Sequence, residues 1–596
     1  MGTESWKRVA RAAEIRGPGP HAVAADGIDV VLVRAAAGLR AFEGRCPHRG
    51  ALLGEGELHD GVLVCRNHRW RFDVETGRRD GGPECLTPCA AREEGGEILV
   101  DVSALARPKA AAKQARRRFQ DLPGPRKLPF IGSSYLLKPD QMHLQFEAWG
   151  REFGTPYSFA VGPRKLVVFS DMLDMMPVLR DRPEAFTRGS NLAPVFKELG
   201  VAGVFSAEGA AWRPQRRLSM EALSHRHLRA SFPTLAAVAE RLRARWLRAA
   251  ERGEVLDVAE ELKRFTVDVT TQLVFGYDLD TLGKDDDVIQ RKLGLLFPTF
   301  SRRLFAIVPW WRVIRLPADR AVDRAVAELR VWLHGLVSEA RARLASNPEL
   351  AEHPRNFLEV MLTARDENGK PFDDETIFGN AMTMLLAGED TTAYTLAWCV
   401  HHLLEAPEEV TALTGELRSV LGDLVVPSTI DMAGRLVYAN GVANETMRLR
   451  PVAPLFFLEA TADTVVGDVE IPAGMVTVLM IRPPALSASN FDRPEAFRPA
   501  RWLEDRAANG PHDPSAHQPF GSGPRICPGR TLALLEMKMV LATIYQSFEV
   551  ERVGAASDVR EKMSFTMTPV ELRVKLRPRR QAAAPTGNGS VVQNHP

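Results

Sequence analysis

Two textures of apolar and polar positions divide this chain. At 235–251 (LAAVAERLRARWLRAAE) and 325–344 (AVAELRVWLHGLVSEARARL) apolar residues recur every three or four positions with charges between them. Each predicts an amphipathic helix with one face toward a core. Before residue 103 the pattern is short apolar runs, IDVVLVR (28–34), GVLVC (61–65) and EILVDV (97–102), separated by turns bearing Gly and Asp. That spacing predicts a small all-β domain. Further along, β-rich pieces interrupt the helical texture at 164–170 (RKLVVFS) and 464–480. One apolar run, AMTMLLAGEDTTAYTLAW, contains Ala387-Gly388-Glu389-Asp390-Thr391-Thr392. Glycine, two acids and two hydroxyls are costly inside a helix, and they predict a break there, a locally widened turn.

The fold class expected is therefore multidomain: a small all-β domain at 1–103, a basic linker at 104–121, a mainly α domain with minor β-sheets at 122–580, and a disordered tail at 581–596. The stretch ARPKAAAKQARRR (106–118) holds six cations and no acid. It reads as a solvated linker, with a docking strip for an acidic redox partner as the sharper alternative. Lys+Arg 77 against Asp+Glu 75 leaves +2, so no global field favours nucleic acid. Six cysteines in 596 residues exclude a disulfide scaffold and point to a reducing compartment. No apolar stretch reaches the ~20 residues that cross a bilayer, and the first residues lack the apolar core of a signal peptide. A cytoplasmic protein without a transmembrane anchor is expected.

Cys46-Pro47-His48 and Cys65-Arg66-Asn67-His68 form C-x-H and C-x-x-H with 16 residues between them. Two thiolates and two imidazoles could hold tetrahedral zinc. The close C-x-H pair suits a [2Fe–2S] cluster better, with two cysteines on one iron and two histidines on the other. Across 6–102 the chain resembles the Rieske family, which implies Cys46, His48, Cys65 and His68 as metal ligands. High-potential members carry a further cysteine in each loop, where this chain has Ala51 and Asn67. They also place hydroxyl donors where Trp70 and Phe72 stand here. Fewer hydrogen bonds to the cluster imply a low potential and a ferredoxin-like donor. Arg69 replaces a glycine frequent in relatives, and Cys85 and Cys89 read as incidental thiols.

Phe520-Gly-Ser-Gly-Pro-Arg-Ile-Cys-Pro-Gly-Arg530 matches F-x-x-G-x-R-x-C-x-G. A thiolate at Cys527 on haem iron would favour O–O cleavage. Glycines at 523 and 529 permit close backbone approach, and the helix that follows turns its positive end toward the sulfur. Taken alone, the cysteine could equally be a buried thiol. With Glu445-Thr-Met-Arg448, Phe497-Arg-Pro-Ala-Arg501-Trp502, Trp212-Arg-Pro-Gln-Arg216 and LPGPRKLPFIGS (122–133), however, residues 122–578 resemble the cytochrome P-450 family. The resemblance implies haem b on Cys527, with Gly529 beside the sulfur. Trp212, Arg216 and Arg525 would lie at the haem propionates, and Glu445, Arg448 and Arg501 would form a buried structural triad. Asp390 and Thr391 would be the catalytic pair that activates oxygen and delivers protons. Val452, Ala453, Leu455, Phe456, Phe457, part of the loop 186–206 and Thr566–Met567 would line the substrate pocket. Two departures stand out. Leu458-Glu459 occupy the place of a frequent propionate arginine, so one haem anchor is expected to be missing. ALSASNF (485–491) replaces a common His-Arg-Asp-Pro pattern.

Together these readings imply a dioxygen-dependent monooxygenase with paired donors, acting on a hydrophobic small molecule. Electrons would pass from NAD(P)H through a separate flavin ferredoxin reductase to the cluster and then the haem, since no dinucleotide fingerprint is present. Three rivals are a Rieske non-haem dioxygenase, a haem-thiolate isomerase or peroxide-driven enzyme, and a non-catalytic redox or gas sensor. The first lacks the expected acid-x-x-His-x4-His arrangement, and the second would need neither a ferredoxin nor the Asp390–Thr391 pair.

Overall fold

The computed structural model describes residues 6–579 apart from 16, 36, 37, 49, 67, 68, 106–115, 191, 285–287, 305, 307, 308, 367, 368 and 504–511. The expected tail, most of the basic linker and the expected ligand His68 thus lie outside the described residues.

The first domain is built from β1 (Trp6–Arg11), β2 (His21–Ala25), β3 (Ile28–Ala35), β4 (Gly38–Glu43), β5 (Glu57–His59), β6 (Val62–Val64), β7 (Arg71–Asp73), β8 (Pro88–Glu94) and β9 (Glu97–Asp101). One sheet runs β1-β9-β8-β4-β3-β2, and a smaller one runs β5-β6-β7. The continuous apolar run of β3 has a simple cause: the strand is covered on both faces. Val31 and Val33 join one buried cluster with Phe42, Leu63 and Phe72, while Val30 and Leu32 join another with Ile98 and Val100. Both cysteines of the expected cluster motif belong to the first of these cores.

In the second domain the linker's last cations are part of the fold. Arg117–Arg118 pair in parallel with Val469–Glu470, and Arg117 grips Asp468 at 2.7 and 2.8 Å. The main sheet contains β10 (Tyr157–Val161), β11 (Arg164–Phe169), β12 (Phe186–Arg188), β13 (Leu455–Ala460) and β14 (Val476–Met480), in the order β10-β11-β14-β13-β12. Its register sets Arg188 opposite Leu458.

The helices that position the site are α1 (Met142–Phe153), α2 (Met172–Arg180), α3 (Leu192–Glu198), α4 (Trp212–Ala222), α5 (His225–Glu251), α6 (Val258–Phe275), α7 (Pro317–Ser346), α8 (Asp374–Glu405), α9 (Val437–Leu449) and α10 (Arg530–Ser547). α5, α6, α8, α9 and α10 share one core through residues such as Leu242, Phe265, Leu396, Val442 and Leu541. α8 starts at Asp373, whose carboxylate accepts from the Thr376 N–H, an N-cap that satisfies an otherwise orphaned donor. The expected break in this helix is absent: α8 runs unbroken across the 387–392 motif. Burial of the motif among neighbouring helices outweighs its poor local propensity. The remaining local feature is the Thr391 hydroxyl, which donates to the Ala387 carbonyl at 2.7 Å.

Candidate functional site

Two loops of the first domain are built alike. The Cys46 N–H donates to the Ala51 carbonyl at 2.8 Å, and the Cys46 carbonyl accepts from the Gly50 N–H at 2.8 Å. In the second loop the Cys65 N–H donates to the Trp70 carbonyl at 2.7 Å, and its carbonyl accepts from the Arg69 N–H at 3.0 Å. Gly50 (φ 67°) and Arg69 (φ 59°) take the same left-handed conformation in the matching places. A glycine is the unstrained choice there, which explains what the Arg69 departure costs. The His48 ring stacks on Trp70 with centroids 4.1 Å apart, the Arg79 guanidinium lies 3.9 Å from the same indole, and Phe72 is fully buried. Neither Trp70 nor Phe72 offers a hydroxyl. Cys85 and Cys89 are both thiols, and burial pushes Cys89 up to about 12.

The third cysteine loop closes by a hydrogen bond from the Cys527 N–H to the Phe520 carbonyl, 2.9 Å. Gly523 (φ 71°) is obligatory, since a Cβ there would meet the Leu179 carbonyl oxygen at 2.2 Å. A Cβ on Gly529 would lie 3.8 Å from the Cys527 sulfur. Cys527 keeps accessible surface although protein surrounds its sulfur closely. Burial pushes its thiol up, opposed by the Gly529 N–H and by the charges of Arg216, Arg66 and Arg530.

A buried group of arginines stands near by. Arg182 Nε and Nη2, Arg188 Nε and Arg525 Nε have no hydrogen-bond partner among the described residues. Burial lowers all three guanidinium groups, Arg182 to about 10 and Arg525 to about 9. Arg188 and Arg525 are lowered further by neighbouring arginines, and Glu208 opposes the shift in all three. Trp212, itself buried, lies under Arg525 at 4.5 Å. Arg216 is directed elsewhere: it donates to Glu55 of the first domain at 2.7 and 2.8 Å and to the Ile526 carbonyl at 2.6 Å. Arg66, next to Cys65, donates to the Pro528 carbonyl at 3.2 Å. The cluster loop and the Cys527 loop therefore touch.

Beyond this lies a cavity of about 1000 Å³ reaching Ala387 and Thr391. Phe565 is the centre of its aromatic wall, with Phe196, Phe205, Phe297 and Phe300 at 5.8–6.2 Å. Ala453, Leu455, Phe456, Phe457 and Thr566 line it, as does Arg188. Val452 and Met567 instead pack around Trp398. Asp390 faces away from the cavity lining toward α6. Burial raises it to about 6, against the pull of Lys263 and a hydrogen bond from Tyr394. Behind, Glu445 accepts from Arg448 (2.8 and 2.9 Å), Arg501 (2.9 Å), Trp502 (2.9 Å) and the Arg498 N–H (3.0 Å), with all three triad side chains fully buried. The departing 485–491 segment still serves it, as the Ala485 carbonyl accepts from Arg448 at 2.8 Å.

The cytochrome P450 family model matches residues 122–576. The chain belongs to the cytochrome P450 family. A Rieske [2Fe-2S] domain precedes it at residues 5–90. Among relatives of this P450, the chloroplastic protein LUTEIN DEFICIENT 5 of Arabidopsis thaliana is 27% identical, over 70% of this chain and 71% of its own. The human mitochondrial 25-hydroxyvitamin D-1 alpha hydroxylase is 30% identical over 76% and 92%. A self-sufficient cytochrome P450 monooxygenase of Penicillium camemberti is 26% identical over 78% of this chain, which spans only 44% of that longer relative. The crystal structure of the cytochrome P450DA heme domain superposes with a TM-score of 0.67 at 25% identity, covering 77% of this chain and 97% of the other.

The residues present fit both cofactors that a Rieske–P450 chain implies. Haem would place its iron at Cys527. Its two carboxylates answer three clustered guanidinium groups with unspent N–H donors, the chemistry such a cluster calls for. Near the anchor expected to be missing, Arg188 lines the cavity from the strand paired with Leu458. Nothing in its local sequence, FTRG, marks it. Cys46 and Cys65, two buried thiols in matched loops, fit a cluster, with His48 beside them.

Proposed function

We propose that this P450 inserts one atom of dioxygen into a hydrophobic small molecule, and that its Rieske domain passes on electrons taken from a separate NAD(P)H-dependent flavin reductase. The balance is substrate C–H plus O2, two electrons and two protons, giving C–OH and water. The observation that carries the relay is the contact between the loops, with Arg66 from the cluster loop at 3.2 Å from the Pro528 carbonyl. Fusion keeps the donor at high effective concentration beside its acceptor. Two relatives, named as a hydroxylase and a monooxygenase, support the reaction class.

Haem held by a thiolate supplies the oxygen chemistry when bound; the chain's own residues do the rest. The apolar cavity orients the substrate and excludes water. Thr391, on the cavity wall, offers a hydroxyl, and Asp390, one residue before it and raised to about 6 by burial, takes up and releases a proton on the α6 side of the helix. Burial raises that carboxyl's affinity for its proton, and Lys263 and Tyr394 temper the rise. The two acid steps require this pair, while a peroxide-driven enzyme or an isomerase would not. A content of only six cysteines in 596 residues supports a reducing compartment such as the cytoplasm.

The reading is tested with purified full-length enzyme, a ferredoxin reductase, NADPH, dioxygen and a panel of lipophilic compounds. Product carrying one labelled oxygen atom from dioxygen is expected. Turnover with peroxide alone, and none with NADPH and reductase, would show it wrong.

A further inference from the structure

The two cysteine loops of the Rieske domain each send the arginine next to their cysteine across the domain boundary. Arg45, before Cys46, donates to Glu184 at 2.8 Å and to the Arg180 carbonyl at the end of α2. Arg66, after Cys65, donates to the carbonyls of Pro528 (3.2 Å) and Leu223 (3.3 Å) and to the Met220 sulfur (3.4 Å). The haem domain answers from α4. Arg213 pairs with Asp29 and, at 2.9 Å, with Glu184, and Arg216 clasps Glu55.

The Glu55–Arg216 pair is shielded from water on both sides, with side-chain exposure of 10% and 5%; Asp29 (5%) and Arg45 (10%) are as deep, while their partners Arg213 (28%) and Glu184 (40%) are more open. Charges that deep hold one geometry, because breaking a pair leaves an uncompensated charge. Both carbonyls that flank Cys527 are engaged, Ile526 by Arg216 and Pro528 by Arg66.

Resting on the relay reading above, we propose that this docked contact is the electron-delivery geometry itself. Arg66 is the positioning residue that seats the Cys65 loop on the Cys527 loop, and Glu55–Arg216 is the clasp that keeps the Rieske domain against α4. With both cofactors bound, the contact would carry one electron from cluster to haem with no bond made or broken between the domains, Arg66 and the Glu55–Arg216 clasp holding the two loops together.

The test uses the full-length holoenzyme under carbon monoxide. A flavin photoreductant loads the cluster, and cluster oxidation and appearance of the ferrous carbonyl band are followed together. In the parent protein the two should share one rate, independent of protein concentration; no transfer at all would sink the relay reading, and the inference with it. Arg66→Ala should slow transfer about tenfold, equal to ~1.4 kcal/mol, beyond any change that the potentials of the two centres, titrated alongside, account for. Arg66→Lys, which still donates to a carbonyl, should recover part of the rate. Glu55→Lys sets a second cation beside Arg216. It should slow transfer and raise backbone hydrogen exchange across 212–223 and 526–530, a readout independent of turnover. Parent-like rates in both Arg66→Ala and Glu55→Lys, with unchanged exchange, would overturn the proposal while leaving the relay intact. If Glu55→Lys fails to fold, the Arg66 series decides alone.

Discussion

Arg188→Gln separates the needs of the empty fold from those of the haem-loaded one. Without haem, Arg188 is buried beside Arg182 and Arg525 with Glu208 as its counter-charge among the described residues, and burial holds it well below its ordinary value. Removing the charge relieves that crowding, so the haem-free protein should become no less stable. With haem bound, a propionate would pair with this guanidinium. A hydrogen bond to a charged group contributes ~1.5–3 kcal/mol, so haem affinity should fall roughly 10- to 150-fold. The assay has two arms: haem loss to excess apomyoglobin followed in the Soret band, and the urea midpoint of haem-free protein. Arg188→Lys, which keeps the charge but not the fork, should fall between. Haem loss within about twofold of the parent rate, together with a lowered haem-free midpoint, would refute the reasoning.

Asp390→Asn should lower product formation by about 10²- to 10⁴-fold, the usual range for a lost acid–base group. Substrate-induced changes in the haem spectrum should remain, and NADPH consumption checks the uncoupling. Glu445→Gln turns an acceptor of five hydrogen bonds into a partial donor between two buried arginines; a loss of ~3–5 kcal/mol in denaturant unfolding is expected. Burial raises Glu536 to about 8, beneath Thr392. Because the folded state keeps a proton that the unfolded chain releases, the stability it contributes is complete below the unfolded carboxyl's range and is lost as pH rises through about 8. Glu536→Gln should flatten the fall in stability between about pH 5 and 8, seen in thermal unfolding. Trp70→Ser adds a hydroxyl beside the His48 ring and should raise the cluster potential in a redox titration; an unchanged potential would count against the hydrogen-bond account.

The three cysteine loops were legible in the chain because each is closed by its own neighbours. Cys46 bonds to Ala51, Cys65 to Trp70 and Cys527 to Phe520, so local spacing carries the geometry. The Rieske and P450 domains were readable by resemblance carried on those local motifs, and the short strands and long helices by period and turn chemistry, which are local too. Tertiary packing decided the rest. It kept α8 unbroken across a motif of poor helix formers, and it drew Arg117 out of the expected linker onto a sheet edge. Strand register, spanning 270 positions, set Arg188 opposite Leu458 and supplied a cation near the place where the local pattern lacked one. Docking of the two domains turned Arg216 toward Glu55, 161 residues away. Contacts of that separation depend on which faces meet after burial, and no spacing along the chain records them.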